Sequence, residues 1–200
     1  QYLDYGRLKI DTARSDSDLL VSLSDAKTHL RISSNFAGDD AYILLLSRMA
    51  QDIVEQEVGI LLSPLSMVYV ADGFLDVIDL GVNGNQVVKV VYFDTNNNET
   101  TLATSQYDVS NLHVPNGNVL IYPAKGVSWP DTYERPESVR VEFKAGIKLM
   151  DEVPIGLKQA IYLVIGRYYE MRQDVVTGTV ANEIPLGAKH LINQYKKATI

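Results

Sequence analysis

Apolar residues recur with a helical period near both ends of the chain and with a two-residue period between them. In the stretch that starts at Pro154, Leu157, Ala160, Ile161, Val164, Ile165 and Tyr168 fall at i, i+3, i+4, i+7, i+8 and i+11, one face of an α-helix. Ile155, Tyr162, Leu163 and Tyr169 lie off that stripe, so the helix is predicted to be covered on several sides. In a small chain, a second copy is expected to supply part of that cover. Pro154 suits the first helical position, where a missing N–H costs nothing.

Towards the N-terminus, Ser24 is placed to cap a short helix ending at Leu30, with Asp25 at its positive end. Gly38-Asp39-Asp40 opens a longer helix to about Val58, with Ile43, Leu46, Ala50, Ile53 and Val54 as its core stripe and Gly59 as its stop. Between Pro64 and Gly146 the segments 67–70, 77–80, 87–93, 119–122 and 139–143 are rich in β-branched and aromatic residues. In the last of them Val139, Val141 and Phe143 alternate with Arg140, Glu142 and Lys144, which predicts a sheet with one wet face. Asn116-Gly117 and Asn83-Gly84 read as hairpin turns. Residues 11–18 are small and polar and read as part of a mobile arm. The fold class that follows is α+β: a helical bundle of N- and C-terminal helices (23–63 and 147–200), an inserted antiparallel β lobe (64–146), and a flexible arm (1–22).

Composition narrows the function classes. Two hundred residues, 46% hydrophobic and 22% charged, suit a globular fold with a substantial core. No run approaches the ~18 apolar residues of a membrane span, so no membrane partner is expected, and Gln1–Arg7 lacks the pattern of a signal peptide. The chain has no cysteine, which removes disulfides, thiolate metal sites and cysteine nucleophiles. A net charge of -7 argues against a surface that grips nucleic-acid phosphates, but not against a protein that surrounds DNA without holding it.

Chemistry-bearing motifs are scarce. Asp94-Thr-Asn-Asn-Asn98 begins like a calcium loop, but Glu99 stands where a Gly is needed and Ser105 where a bidentate Glu belongs, so a polar hairpin tip is expected. His29, His113 and His190 stand alone, and no nucleophile elbow or phosphate-binding glycine loop occurs. No catalytic residue, cofactor or metal is therefore predicted. Trp129, before Pro130, is expected to anchor a loop. Arg167, Glu170 and Arg172 are candidates for ion pairs between subunits, joined by Tyr169. The stretch from Lys189 to Lys197 is basic, and suits either a helix C-terminus or a docking element for an acidic surface.

Several stretches taken in order are more specific than any one of them. They are Leu23-Ser-Asp-Ala-Lys27 with Leu30-Arg31; Asp39-Asp-Ala-Tyr-Ile43; Ser105-Gln-Tyr-Asp-Val109; Ser128-Trp-Pro130; Arg135 through Gly146; Val153 through Ile161; Tyr168-Tyr-Glu170 with Arg172; and Pro185-Leu-Gly187. The order resembles the head–tail connector (adaptor) family of long-tailed bacteriophages, in its subgroup with a β insertion, over about residues 22–198. The resemblance implies a virion structural protein with no enzymatic activity, forming a homo-oligomeric ring, typically of twelve copies, beneath the portal. It implies the portal protein and a stopper or tail-completion protein as partners, and DNA passing through the channel without sequence-specific binding. The location implied is the head–tail interface, after assembly in the host cytoplasm. The family's C-terminal helix commonly docks on the portal, which maps here onto residues 185–200 and makes Lys189, His190, Tyr195, Lys196 and Lys197 the expected portal contacts. The competing expectation is a carbohydrate- or receptor-binding module of a phage tail, with Trp129, Tyr107 and Tyr122 as a stacking surface.

Overall fold

The structure, a computed structural model, describes residues 8–171 and 184–196. It divides into two compact units. One holds the described residues up to Ala13 together with Ser63–Lys148; the other holds Arg14–Leu62 and the described residues from Leu149 onward.

The first unit is built on antiparallel strands: β1 (Leu8–Thr12), β2 (Leu65–Ala71), β3 (Ile78–Asp79), β4 (Gly84–Phe93), β5 (Glu99–Thr101), β6 (Tyr107–Ser110), β7 (Leu120–Pro123) and β8 (Val139–Ala145). They form a five-stranded sheet in the order β1-β2-β8-β4-β5 and a three-stranded sheet in the order β3-β7-β6. Alternation decides the faces of β8: Val139, Val141, Phe143 and Ala145 are buried, while Arg140, Glu142 and Lys144 point to the other side. Across this outer face Lys89 pairs with Glu142 (3.0 Å), Arg140 with Glu99 (2.6 Å), and Lys9 with Glu137.

Two expectations about turns change. Asn116-Gly117 sits inside a longer loop between β6 and β7, where Gly117 N donates to Val114 O and Asn111 and His113 take positive φ. Asn83-Gly84 is not a hairpin, because β3 pairs with β7 and β4 with β8. Gly84 is required there by crowding: an added Cβ would lie 2.9 Å from Val119 Cγ2 and 3.0 Å from the Lys144 carbonyl.

The second unit holds α1 (Leu23–His29), α2 (Asp40–Val58), α3 (Ile155–Glu170) and α4 (Leu186–Asn193). Asp25 approaches Lys158 (3.9 Å) and His29 packs on Tyr162 (4.9 Å between rings), so α1 and α3 run in the same direction. Tyr195 lies against Gly156 and Leu163 against Gly187, so α4 runs opposite to α3. Tyr42 at the start of α2 reaches Tyr168 at the end of α3, which makes these two antiparallel as well. The core between them is Ile43, Leu46, Ala50, Val54, Leu157, Ile161, Val164, Ile165, Ala188 and Ile192.

The helix ends have local causes. Ser22, not Ser24, caps α1: its Oγ accepts the Asp25 N–H at 3.1 Å. Gly59 ends α2 with φ +75°. Pro154 and Pro185 stand one position ahead of α3 and α4, as their N-caps.

The described part of residues 1–22 is not a free arm. Leu8–Thr12 pairs with β2 as an edge strand, and Leu19, Leu20 and Val21 are buried in the helical unit. The segment looked mobile because its side chains are polar, yet what fixes it is strand pairing and three adjacent apolar residues just past the polar run.

Candidate docking surfaces

Two charged residues that a helical reading places on the surface are interior. Lys27 is 5% exposed. Its Nζ donates to the Ser34 carbonyl (3.1 Å), the Phe36 carbonyl (2.6 Å) and Asp40 Oδ1 (2.8 Å), which ties the end of α1 to the start of α2 across the 31–39 loop. Phe36 stands 50% exposed on that loop. Glu55 sits on the core side of α2 and accepts both guanidinium N–H groups of Arg14 (2.7 and 2.9 Å), as well as the Leu62 N–H (2.7 Å). Burial pushes its carboxyl above the ordinary glutamate value, against the opposing pull of Arg14 and then of the Leu62 N–H. Beside it Gln51 accepts the Leu20 N–H at 3.0 Å. These bonds fix the segments that enter and leave α2.

The residues expected between subunits divide. Arg167 and Glu170 are exposed on the last turn of α3. Tyr169 is half-buried and its hydroxyl donates to Asp39 Oδ2 (2.6 Å) within the same chain. Arg172 lies outside the described residues. Of the expected portal contacts, Lys189 and His190 are exposed on α4, and Lys196 is exposed with its Nζ 3.7 Å from Glu57. Tyr195 is half-buried against Gly156. Lys197 lies outside the described residues.

The remaining candidates are spread apart. His29 is on α1, His113 in the β6–β7 loop and His190 on α4. Among the described residues no group of three His, Asp or Glu is placed to hold a metal. Asp94 accepts the N–H groups of Asn98 and Asn96 with one oxygen (2.9 and 2.8 Å), a self-contained polar turn between β4 and β5. Trp129 stacks on Phe74 at 4.7 Å and 9°, Tyr107 is buried, and the Tyr122 hydroxyl meets Ser110, so these rings serve packing within the β unit.

Other apolar residues left outside in the helical unit are Leu45 on α2 (56% exposed), Leu149 ahead of α3 (48%), Ile155 at the start of α3 (84%) and Leu186 at the start of α4 (84%).

Residues 20–117, from the segment before α1 through β6 into the loop after it, match the family model of the phage gp6-like head-tail connector protein. Over that stretch, just short of half its length, the chain resembles a phage head–tail connector protein. The chain also shares its fold with chains in three solved assemblies, each match covering 96% of both chains. They are the virion of a native gene transfer agent particle (TM-score 0.72, 23% identity), the neck of an empty particle of that kind computed with C6 symmetry (0.68, 24%), and the neck of a native particle computed with C12 symmetry (0.69, 22%). No curated protein matches the chain.

The order of short sequence blocks that carried the resemblance now has a physical content. In the first block, Lys27 is the interior clamp and Arg31 turns the chain with φ +59°. In the block at 39–43, Asp39 receives the Tyr169 hydroxyl and Asp40 receives Lys27. At 135–146, Arg135 lies over the Phe93 ring (4.1 Å) and Gly146 takes φ +87°. The exposure of Leu45 and Leu186 was not legible in the sequence, because both fall inside predicted helices where an apolar residue is assigned to the core by default.

Proposed function

We propose that the protein is a head–tail connector, a structural subunit of the virion neck. Copies close into a ring at the head–tail interface, DNA passes along its channel without sequence-specific contacts, and the protein turns over no substrate. The portal protein lies on one side of the ring and a stopper or tail-completion protein on the other, with assembly in the host cytoplasm. The observation that carries this reading is the likeness over 96% of the chain to neck chains, one of them in a neck computed with C12 symmetry, which supports a ring of twelve. The net charge of -7 per copy adds to it, because a ring multiplies that charge and surrounds DNA with a field that offers few sticking points. The interior bonds of Lys27 and Glu55, which tie the segments around α2 together, fit a part whose work is to hold partners in place.

Mass photometry of the full chain, alone and with purified portal protein, tests the reading. Ring-sized species, formed at high concentration or on the portal, are expected. A chain that stays monomeric at every concentration and ignores the portal would overturn it.

A further inference from the structure

A ring of identical copies joins one patch of each subunit to a different patch of the next, so a subunit must carry two complementary surfaces on opposite flanks. The helical unit has such a pair. On α2 the exposed ridge includes Leu45, Arg48 and Asp52. Asp16 is brought onto this ridge by Arg48, whose Nε and Nη2 both donate to Asp16 Oδ1 (2.9 and 2.6 Å). Asp52 lies 3.6 Å from Arg14, whose guanidinium is turned inward onto Glu55, and the Asp52 carboxylate stays 64% exposed. The result is an exposed leucine beside the Asp16–Arg48 ion pair and the outward carboxylate of Asp52, a surface one charge on the acidic side of neutral.

The other surface is the outer face of α4. Leu186, Lys189 and His190 fall at i, i+3 and i+4, one exposed stripe, and Lys196 follows beyond the helix end. This is an exposed leucine flanked by bases. The position of α4 relative to the acidic ridge follows from α2 itself. Lys196 meets α2 at Glu57, which is five residues from Asp52 and nine from Arg48. At 3.6 residues per turn those separations are about 140° and 180° around the helix. Lys196, which follows the α4 stripe, therefore lies on the flank of α2 away from the ridge; Asp16 and Asp52 outweigh Arg48 on the ridge, Lys189 and Lys196 make the stripe positive, and each surface centres on a leucine.

We infer that neighbouring copies join by seating the Leu186–Lys189 face of α4 against the Leu45–Asp52 ridge of the next copy. The inference rests on the ring proposed above and specifies its seam. Leucine against leucine supplies apolar burial, and the charges set register and reject the reversed pairing, which would bring like charges together.

The absence of cysteine allows a clean test. A chain carrying both Leu45→Cys and Leu186→Cys, oxidised mildly at ring-forming concentration and within assembled particles, should give a covalent ladder up to the full ring. Either single variant should give none, and an equal mixture of the two should stop at dimers. A double variant with Ile155→Cys in place of Leu186→Cys serves as control. Rings that form without a ladder, or a control that ladders equally, would overturn the seam while leaving the ring intact. No ring by mass in any sample would instead overturn the functional proposal.

A charge-swap pair guards against misfolding. Lys189→Glu with Lys196→Glu, and separately Asp16→Lys with Asp52→Lys, should each abolish ring formation while keeping the helical circular dichroism. Mixing the two variants should restore rings, since each then offers its neighbour the opposite sign. Should the lysine variant keep its ring and lose only portal attachment, the α4 face belongs to the portal and the seam lies elsewhere.

Discussion

In the β unit the charged side chains stand on the outer face of a sheet and pair across strands, Lys89 with Glu142 and Arg140 with Glu99. In the helical unit Lys27 and Glu55 are interior, held by backbone carbonyls, a carboxylate and a guanidinium, while Leu45, Ile155 and Leu186 are left outside. Both units leave apolar side chains outside, Ile10 and Val88 among them in the β unit, but among the described residues only the helical unit buries charge. The difference teaches where stability is concentrated. An exposed pair in water contributes ~0–1 kcal/mol, whereas breaking a buried pair leaves a charge without water or partner. The unit with interior charges is therefore the one more sensitive to single charge changes.

The largest expected effect is at that buried pair. Glu55→Ala strands the Arg14 guanidinium and the Leu62 N–H, and should cost about 3–5 kcal/mol in urea unfolding. Replacing both partners at once, Arg14→Met with Glu55→Leu, should recover much of the loss, because no charge is then buried alone. A double variant as unstable as the single one would show that packing around the pair, not its charge, is decisive.

Lys27→Met should come next. It removes three hydrogen bonds and leaves the Ser34 and Phe36 carbonyls and Asp40 without their donor, a loss of about 1–3 kcal/mol. Limited proteolysis should then cut first within residues 31–39, and unchanged cutting there would show that the loop does not depend on the clamp. The comparable weak point of the β unit is a glycine. Gly146 has φ +87°, and an added Cβ would lie 2.1 Å from the Ser63 carbonyl oxygen. Gly146→Ala should cost at least the ~1–3 kcal/mol of a residue forced into a disfavoured backbone region.

The burial of charge in one unit also explains what the sequence disclosed. β8 was legible because Val139, Val141 and Phe143 alternate with charges that do face water, and α2 because Ile43, Leu46, Ala50 and Val54 keep helical spacing. Ser47, Gln51 and Glu55 complete that buried stripe, yet a polar residue reads as exposed unless its partner is known, and Arg14 is 41 residues away from Glu55. Ile53, assigned to the core stripe, is only half-buried at its edge. The short strands β5 and β6, with three and four residues, hold too few apolar positions to show a period. Around α3, Tyr162, Leu163 and Tyr169 are half-buried among His29, Gly187 and Asp39 of the same chain, and Ile155 alone of the off-stripe residues stands fully out. The family resemblance was legible from the order of short blocks; the surfaces that face partners were not, since exposure is a property of the folded chain.

Removing a charge from the outer sheet should change little. Arg140→Ala breaks its bond to Glu99, and the expected loss is ~0–1 kcal/mol, shrinking further in concentrated salt as the exposed pair is screened. A loss near that of Glu55→Ala would erase the distinction between the units.

The mildest test is pH, and its sign differs between the two units. In the β unit the N–H groups of Asn98 and then Asn96 hold the Asp94 carboxyl below the ordinary aspartate value. A carboxyl lowered by folding gives stability that is fully present above its ordinary value and is lost as pH falls through the folded one. In the helical unit burial raises Glu55, so the folded state holds its proton more tightly than the unfolded chain does. Its contribution is greatest below the ordinary glutamate value and declines as pH rises through the raised one. Asp94→Asn should accordingly flatten the acid limb of the stability curve, and Glu55→Gln the limb just above the ordinary glutamate range. Urea midpoints across pH, with carboxyl carbon NMR to assign each titration, measure both; two carboxyls displaced to the same side of their ordinary values would refute the opposition.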